Sequence, residues 1–147
     1  MRRREFISGL GGVAATWPLA GGVSRVRAQT PNRMYRLGHL GFAGPSEAMS
    51  RQIILPELAR LGFVEGGNLV FEARSGEADA QTTLMGELLA GKPDAVIAIG
   101  NAAILAAGAA TRTVPIVGLG GDPVQLGLAK SYARPGGNVT GDRKSVV

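Results

Sequence analysis

The chain contains no cysteine and only one histidine in 147 residues. The first absence excludes disulfides, thiolate metal sites, a cysteine nucleophile and a lipid-anchored cysteine. The second excludes a histidine pair for a metal, and no carboxylates cluster at ligand spacing, so neither metal nor organic cofactor is expected. A nucleophile elbow G-x-S-x-G and a phosphate loop G-x-x-x-x-G-K-[ST] are also missing. The glycine-rich "GLGGDP" lacks G-x-G-x-x-G and follows the fourth expected strand rather than the first, which argues against a dinucleotide. Aromatic residues make up 5% of the chain, and the single tryptophan is Trp17.

What is present is a globular composition, 45% hydrophobic and 18% charged, with 23 glycines and a formal net charge of +5. The length suits one domain. The charge is local. Residues 1–28 hold Arg2, Arg3, Arg4, Arg25 and Arg27 against Glu5, so four of the five net charges lie there. Nucleic-acid binding needs lysine and arginine clustered along a phosphate-facing surface, so no nucleic-acid partner is expected.

Those first residues, "MRRREFISGLGGVAATWPLAGGVSRVRA", have the layout of an export signal. Arg2 to Arg4 form a charged start, Ile7 to Val23 a mild apolar stretch, and Val26-Arg27-Ala28 a small-x-small cleavage site. "RREFI" resembles a twin-arginine motif, and the glycine-diluted apolar stretch, broken by Pro18, spans a bilayer poorly. Cleavage after Ala28 and a periplasmic product are therefore expected.

Beyond residue 28 the pattern alternates. "YRLGHLGF" (35–42) reads as a buried strand. Residues 46–62 carry Ile54, Leu58 and Leu61 at helical spacing, with a break expected near Leu55 and Pro56 opening a second helical piece. Strands follow at 69–75, 94–100 and 115–120, with helices from Asp79 and Asn101 between them. The second of these helices leads to Pro115. A short helix is expected at Asp122-Pro123 and a fifth strand from Asn138. Such alternation gives an α/β fold, a parallel doubly wound sheet with helices on both faces. Ligands of such sheets sit outside the carboxyl ends of the strands. Ser46, Asp79, Asn101 and Asp122 are expected to cap helices there. A cap justifies these residues by itself, and the free N–H groups of a helix start also suit a carboxylate or polar ligand, so both roles stand open. His39, inside the first strand, reads as a core histidine. No catalytic residue emerges, and the loops suit capture by hydrogen bonding better than bond breaking.

Taken in order, "MRRREFI", "LGHLGF", "LARLGFVEGGNLVFEARSGEAD", "KPDAVIAIGNAAILAAGAAT" and "VPIVGLGGDPVQLGLAKSYARPGGNVTG" resemble the exported substrate-binding proteins of an ABC transporter family, over Met1 to Gly141. The resemblance implies a two-lobed periplasmic binder that closes on a small solute, an amino acid or related compound, and delivers it to permease subunits in the inner membrane. It also implies that residues 29–141 are the N-terminal lobe. Carried over by position, the ligand loops are Ala43, Gly44 and Ser46; Gly100, Asn101 and Ala102; and Gly120, Gly121 and Asp122. Two departures stand out: relatives often carry Thr or Ser where this chain has Gly100-Asn101, and Pro56 interrupts a helix that many run straight. In the family "GGNVTG" leads on to a second lobe. Here "DRKSVV" (142–147) follows, which resembles a translated sequencing adapter and is expected to be a non-native tail on a truncated lobe. Two other classes stay open on the residues alone, an exported α/β enzyme and a sensor domain, each with its second half missing.

Overall fold

Five strands alternate with helices along residues 33–141, the residues that the computed structural model describes. In chain order they are β1 (Tyr35–Phe42), α1 (Ser46–Met49), a π-helical stretch (Ser50–Ile54), α2 (Leu55–Arg60) and β2 (Leu69–Gly76). A 3-10 turn (Ala78–Ala80), α3 (Gln81–Ala90), β3 (Ala95–Ile99), α4 (Asn101–Ala110), β4 (Ile116–Leu119) and β5 (Val139–Gly141) complete them. The sheet order is β2-β1-β3-β4-β5 and every pair is parallel. The export signal expected over 1–28 and the tail expected over 142–147 lie outside the described residues.

A parallel sheet must be covered on both faces, and the side-chain period of two sorts each strand accordingly. On β1, Leu40 points into the main core with Met85 and Leu88 of α3 and Ile104 and Ala107 of α4, joined by Val96, Ile116 and Val139 from the other strands. His39, one residue away, points to the opposite face and meets Ser50 of the first helical run. Fully burying a leucine, isoleucine or methionine stabilises by about 1.5–3 kcal/mol. The layer of Leu40, Met85, Leu88, Ile104 and Ile116 is thus what holds α3 and α4 to the sheet.

The first helical run departs from expectation in an informative way. It does not break at Leu55. Ile54 and Leu55 both keep right-handed helical dihedrals, and Pro56 sits in the first turn of α2. The stretch before it widens to π geometry instead. Proline lacks an N–H and its ring crowds the carbonyl four residues earlier, and a wider turn relieves both. Leu61, which helical spacing aligned with Ile54 and Leu58, is 71% exposed and does not join a buried face. Phe63 instead sets its ring edge-on to Tyr35, with centroids 5.1 Å apart.

The amino edge of the sheet is stapled by side chains. Asn68 donates from Nδ2 to the Gly62 carbonyl (2.9 Å) and accepts from the Val64 N–H at Oδ1 (2.8 Å), closing the "GFVEGGN" turn in which Gly66 takes φ +79°. Asn138, at the second G-G-N, donates to the carbonyls of Thr111 and Val114. Asp94 accepts the Arg36 N–H (2.8 Å) and pairs with Arg33. The Arg36 amide, above the nearby arginines, holds the Asp94 carboxyl below its ordinary range.

Candidate functional site

The strand order reverses at β1: β2 lies on one side of it and β3 on the other. The carboxyl ends of β1 and β3 flank this switch point, the position where sheets of this kind take ligands. The residues around it are small. Gly100 (φ +90°) ends β3, and its N–H donates to the Leu119 carbonyl at 2.8 Å. A Cβ on Gly120 would lie 3.9 Å from the Gly100 nitrogen, and one on Gly121 would collide with Asn101 Oδ1 and stand 2.8 Å from Ile104 Cδ1. Gly100, Asn101, Gly120 and Gly121 therefore form one patch made of two loops.

Phe42 belongs to the same patch. Its Cδ1 stands 3.8 Å from where a Cβ of Gly100 would be, and the residue is 47% exposed although it closes a central strand. The sequence reading missed it. The available signal was an aromatic as the last strand residue before a ligand-side loop.

The candidate residues divide by what their side chains already do. Ala43, Gly44, Asn101 and Gly120 are exposed; Gly100, Ala102 and Asp122 are half-buried; Ser46 and Gly121 are buried. The Ser46 hydroxyl turns inward and donates to the Phe42 carbonyl at 2.8 Å.

The expected caps need correction. Pro45, Ala80 and Gly100 occupy the cap positions of α1, α3 and α4, none with a side-chain cap bond, while Ser46 and Asn101 are first helical residues and Asp79 lies in the 3-10 turn. Gly100 adopts a dihedral pair open to glycine (φ 90°, ψ 159°), so the helix starts one residue later than a polar cap would place it. Asp122 does cap: Oδ1 accepts from Val124 N–H (2.9 Å) and Gln125 N–H (3.2 Å). What it caps is a series of turns through Ala129 rather than a helix, with Gly127 at φ +72° turning the chain.

Helix α4 starts beside this patch, at Asn101. Its first bond runs from Ile104 N–H to the Gly100 carbonyl (3.0 Å), so the amides of Asn101, Ala102 and Ala103 precede the helical ladder. An exposed ring and a row of amides thus flank a glycine floor.

Under the β1 loop lies a buried polar layer. His39, Ser46, Ser50 and Gln81 are the buried polar residues of the described chain. His39 Nδ1 is 3.0 Å from Ser50 Oγ, while Nε2 has no partner. Gln81 Nε2 donates to the carbonyls of Gly41 (2.9 Å) and Gly76 (2.7 Å), joining the ends of β1 and β2. Burial pulls the His39 pKa below its ordinary 6.5; Glu47 opposes this and Arg51 adds to it. The unfolded chain therefore takes up this proton more readily than the folded one. Stability from His39 is complete above the unfolded value of about 6.5 and falls as pH drops from there toward the lowered folded value. Urea midpoints measured across that window will decline with acid, and the decline will be shallower in His39→Asn, whose amide can still reach Ser50.

Residues 42–145 match the family described as ABC transporter substrate binding protein. A tyrosine-binding protein of Clostridioides difficile (strain R20291) is 32% identical over 100 residues, 66% of this chain and 29% of that protein. A conserved domain protein of Vibrio cholerae O1 biovar El Tor superposes with a TM-score of 0.68 at 29% identity. The ABC domain of Streptococcus pneumonia in complex with L-Trp gives 0.66 at 28% identity. In both, 74% of this chain covers 38% of the other. The matched part of this chain thus spans about a third of the length of those relatives. With more than half of its residues under the match, and with solved structures of 28–29% identity superposing on its parallel sheet, the chain belongs to the ABC transporter substrate-binding protein family.

Proposed function

We propose that this chain is the N-terminal lobe of a periplasmic solute-binding protein that captures an amino acid with a flat apolar side chain and passes it to an inner-membrane permease. The observation that carries the ligand class is the exposed Phe42 ring beside the unladdered first turn of α4. A carboxylate suits those amides and the positive end of the helix, and a planar side chain suits the ring face. The tyrosine-binding and L-Trp-bound relatives support the same class. Periplasmic location rests on the signal-like residues 1–28, and the permease on the family.

The test is a titration of the protein, extended to the relatives' full length, with L-tryptophan, L-tyrosine, L-leucine and glucose. The single tryptophan, Trp17, lies in the expected signal, so within residues 29–147 L-tryptophan fluorescence can be read without background from this lobe. The ring-bearing amino acids are expected to bind most tightly and glucose not at all. Phe42→Leu will weaken L-tryptophan by roughly 2- to 12-fold, the worth of one aromatic pair. Binding of glucose with no binding of any amino acid would overturn the proposed class.

A further inference from the structure

We propose that His39 is a positioning residue for the β1 ligand loop, and that taking up a proton makes it compete for the hydroxyl that holds the loop in place. The inference rests on the site reading above, since the loop matters only if Ala43 and Gly44 face ligand.

The geometry is centred on Gly41. A Cβ built there would lie 2.9 Å from His39 Nε2 and 2.9 Å from Ser46 Cβ, and would collide with Ser46 Oγ. The imidazole edge and the Ser46 hydroxyl therefore crowd the same point, across a residue that has no side chain to separate them. The hydroxyl is engaged with the Phe42 carbonyl, the last of β1 before the loop Ala43-Gly44-Pro45. The other ring nitrogen is engaged with Ser50.

Neutral imidazole has one donor nitrogen and one acceptor, and Ser50 can serve Nδ1 in either role. Imidazolium has two donors. Ser50 must then accept at Nδ1, and Nε2–H, which has no partner, needs an acceptor in a buried place. Ser46 Oγ is the polar side-chain atom crowded against the same point. Drawing it toward the ring strains or breaks its bond to Phe42 and shifts the loop. The charged groups around His39 are Glu47 of α1 and Arg51 of the π-helical stretch. Arg51 is bonded to Glu47 (3.0 Å) and to Glu65 (2.9 Å) and lies over Phe71 of β2, whose ring is 5.9 Å from that of His39. Gln81, at the start of α3, carries no charge.

Two readouts on the 147-residue chain test this. The first needs no ligand: the backbone amide resonances of Ala43, Gly44 and Ser46 are followed by NMR together with the His39 ring protons from about pH 8 to pH 5. The loop amides are expected to move with the same midpoint as His39, and to stay still in His39→Asn. Should that variant fail to fold, Glu47→Gln serves, because removing the carboxylate that favours the imidazolium must move both midpoints to lower pH together. Loop amides that stay fixed while His39 titrates would overturn the proposal, as would a His39 that stays neutral until the chain unfolds. The second readout is ligand-detected NMR with L-tryptophan, where affinity should fall roughly 2- to 12-fold across the His39 transition, the worth of one hydrogen bond. Loop movement that follows His39 with no L-tryptophan binding at any pH, even to the protein extended to the relatives' full length, would leave His39 as a prop of the loop and overturn the amino-acid reading of the site.

Discussion

Gly41→Ala will destabilise the lobe by about 1–3 kcal/mol, the range for overpacking a closely fitted interior. The added methyl has nowhere to go. It would meet Ser46 on α1 and His39 Nε2 at once, and the Gly41 carbonyl is tethered to Gln81, so β1 cannot slide to make room. Either the Ser46–Phe42 bond breaks or the first helical run lifts from the sheet. Urea denaturation of the variant against wild type measures the loss. Gly86→Ala is the control: it lies within α3, nothing stands within 4 Å of its Cβ position, and it should gain about 0.4–1 kcal/mol. A Gly41→Ala variant as stable as wild type would mean that the polar layer is looser than its distances imply.

The larger effect concerns affinity. Binding sites commonly bury 70–90% of a ligand's surface, whereas the proposed site presents one wall: Phe42, the glycine floor and the first turn of α4. The proposed second wall belongs to the rest of the relatives' length. Losing about four polar contacts, each worth about 0.5–1.5 kcal/mol, lowers affinity by a factor of at least about 30. Calorimetry of the 147-residue chain and of a full-length protein with the same amino acid is therefore expected to differ by that factor or more. Equal affinities would place the whole site in this lobe and remove the need for closure between lobes.

The fold was legible because its signals are local. "DAVIAIG" has no polar residue after Asp94, as a strand covered on both faces requires, and Gly91 with Pro93 ends α3 where a helix must end. Which loops gather at the carboxyl ends of the strands was legible by position, since the alternation of strands and helices fixes that. The side-chain roles were less so. Ser46 has the chemistry of a cap but spends its hydroxyl on Phe42, because Gly41 leaves it room to turn inward. Asn101 follows a glycine already suited to start the helix. Pro56 reads as a break, yet a widened turn absorbs it, and that choice depends on packing rather than spacing. The exposure of Phe42 depends on Gly100, 58 positions away in sequence, which only the folded sheet brings alongside.

The stapling of the amino edge has an evolutionary consequence. Asn68, Asp94 and Asn138 fix the turns that lead into β2, β3 and β5. The proposed site at the other end of the strands includes Gly100 and Gly120, which contribute no side chain. Folding instructions and the proposed recognition surface are thus written at opposite ends of the same strands. Loops at the recognition end can be exchanged or diversified while the staples keep register, so one scaffold can be retuned from solute to solute without being reinvented.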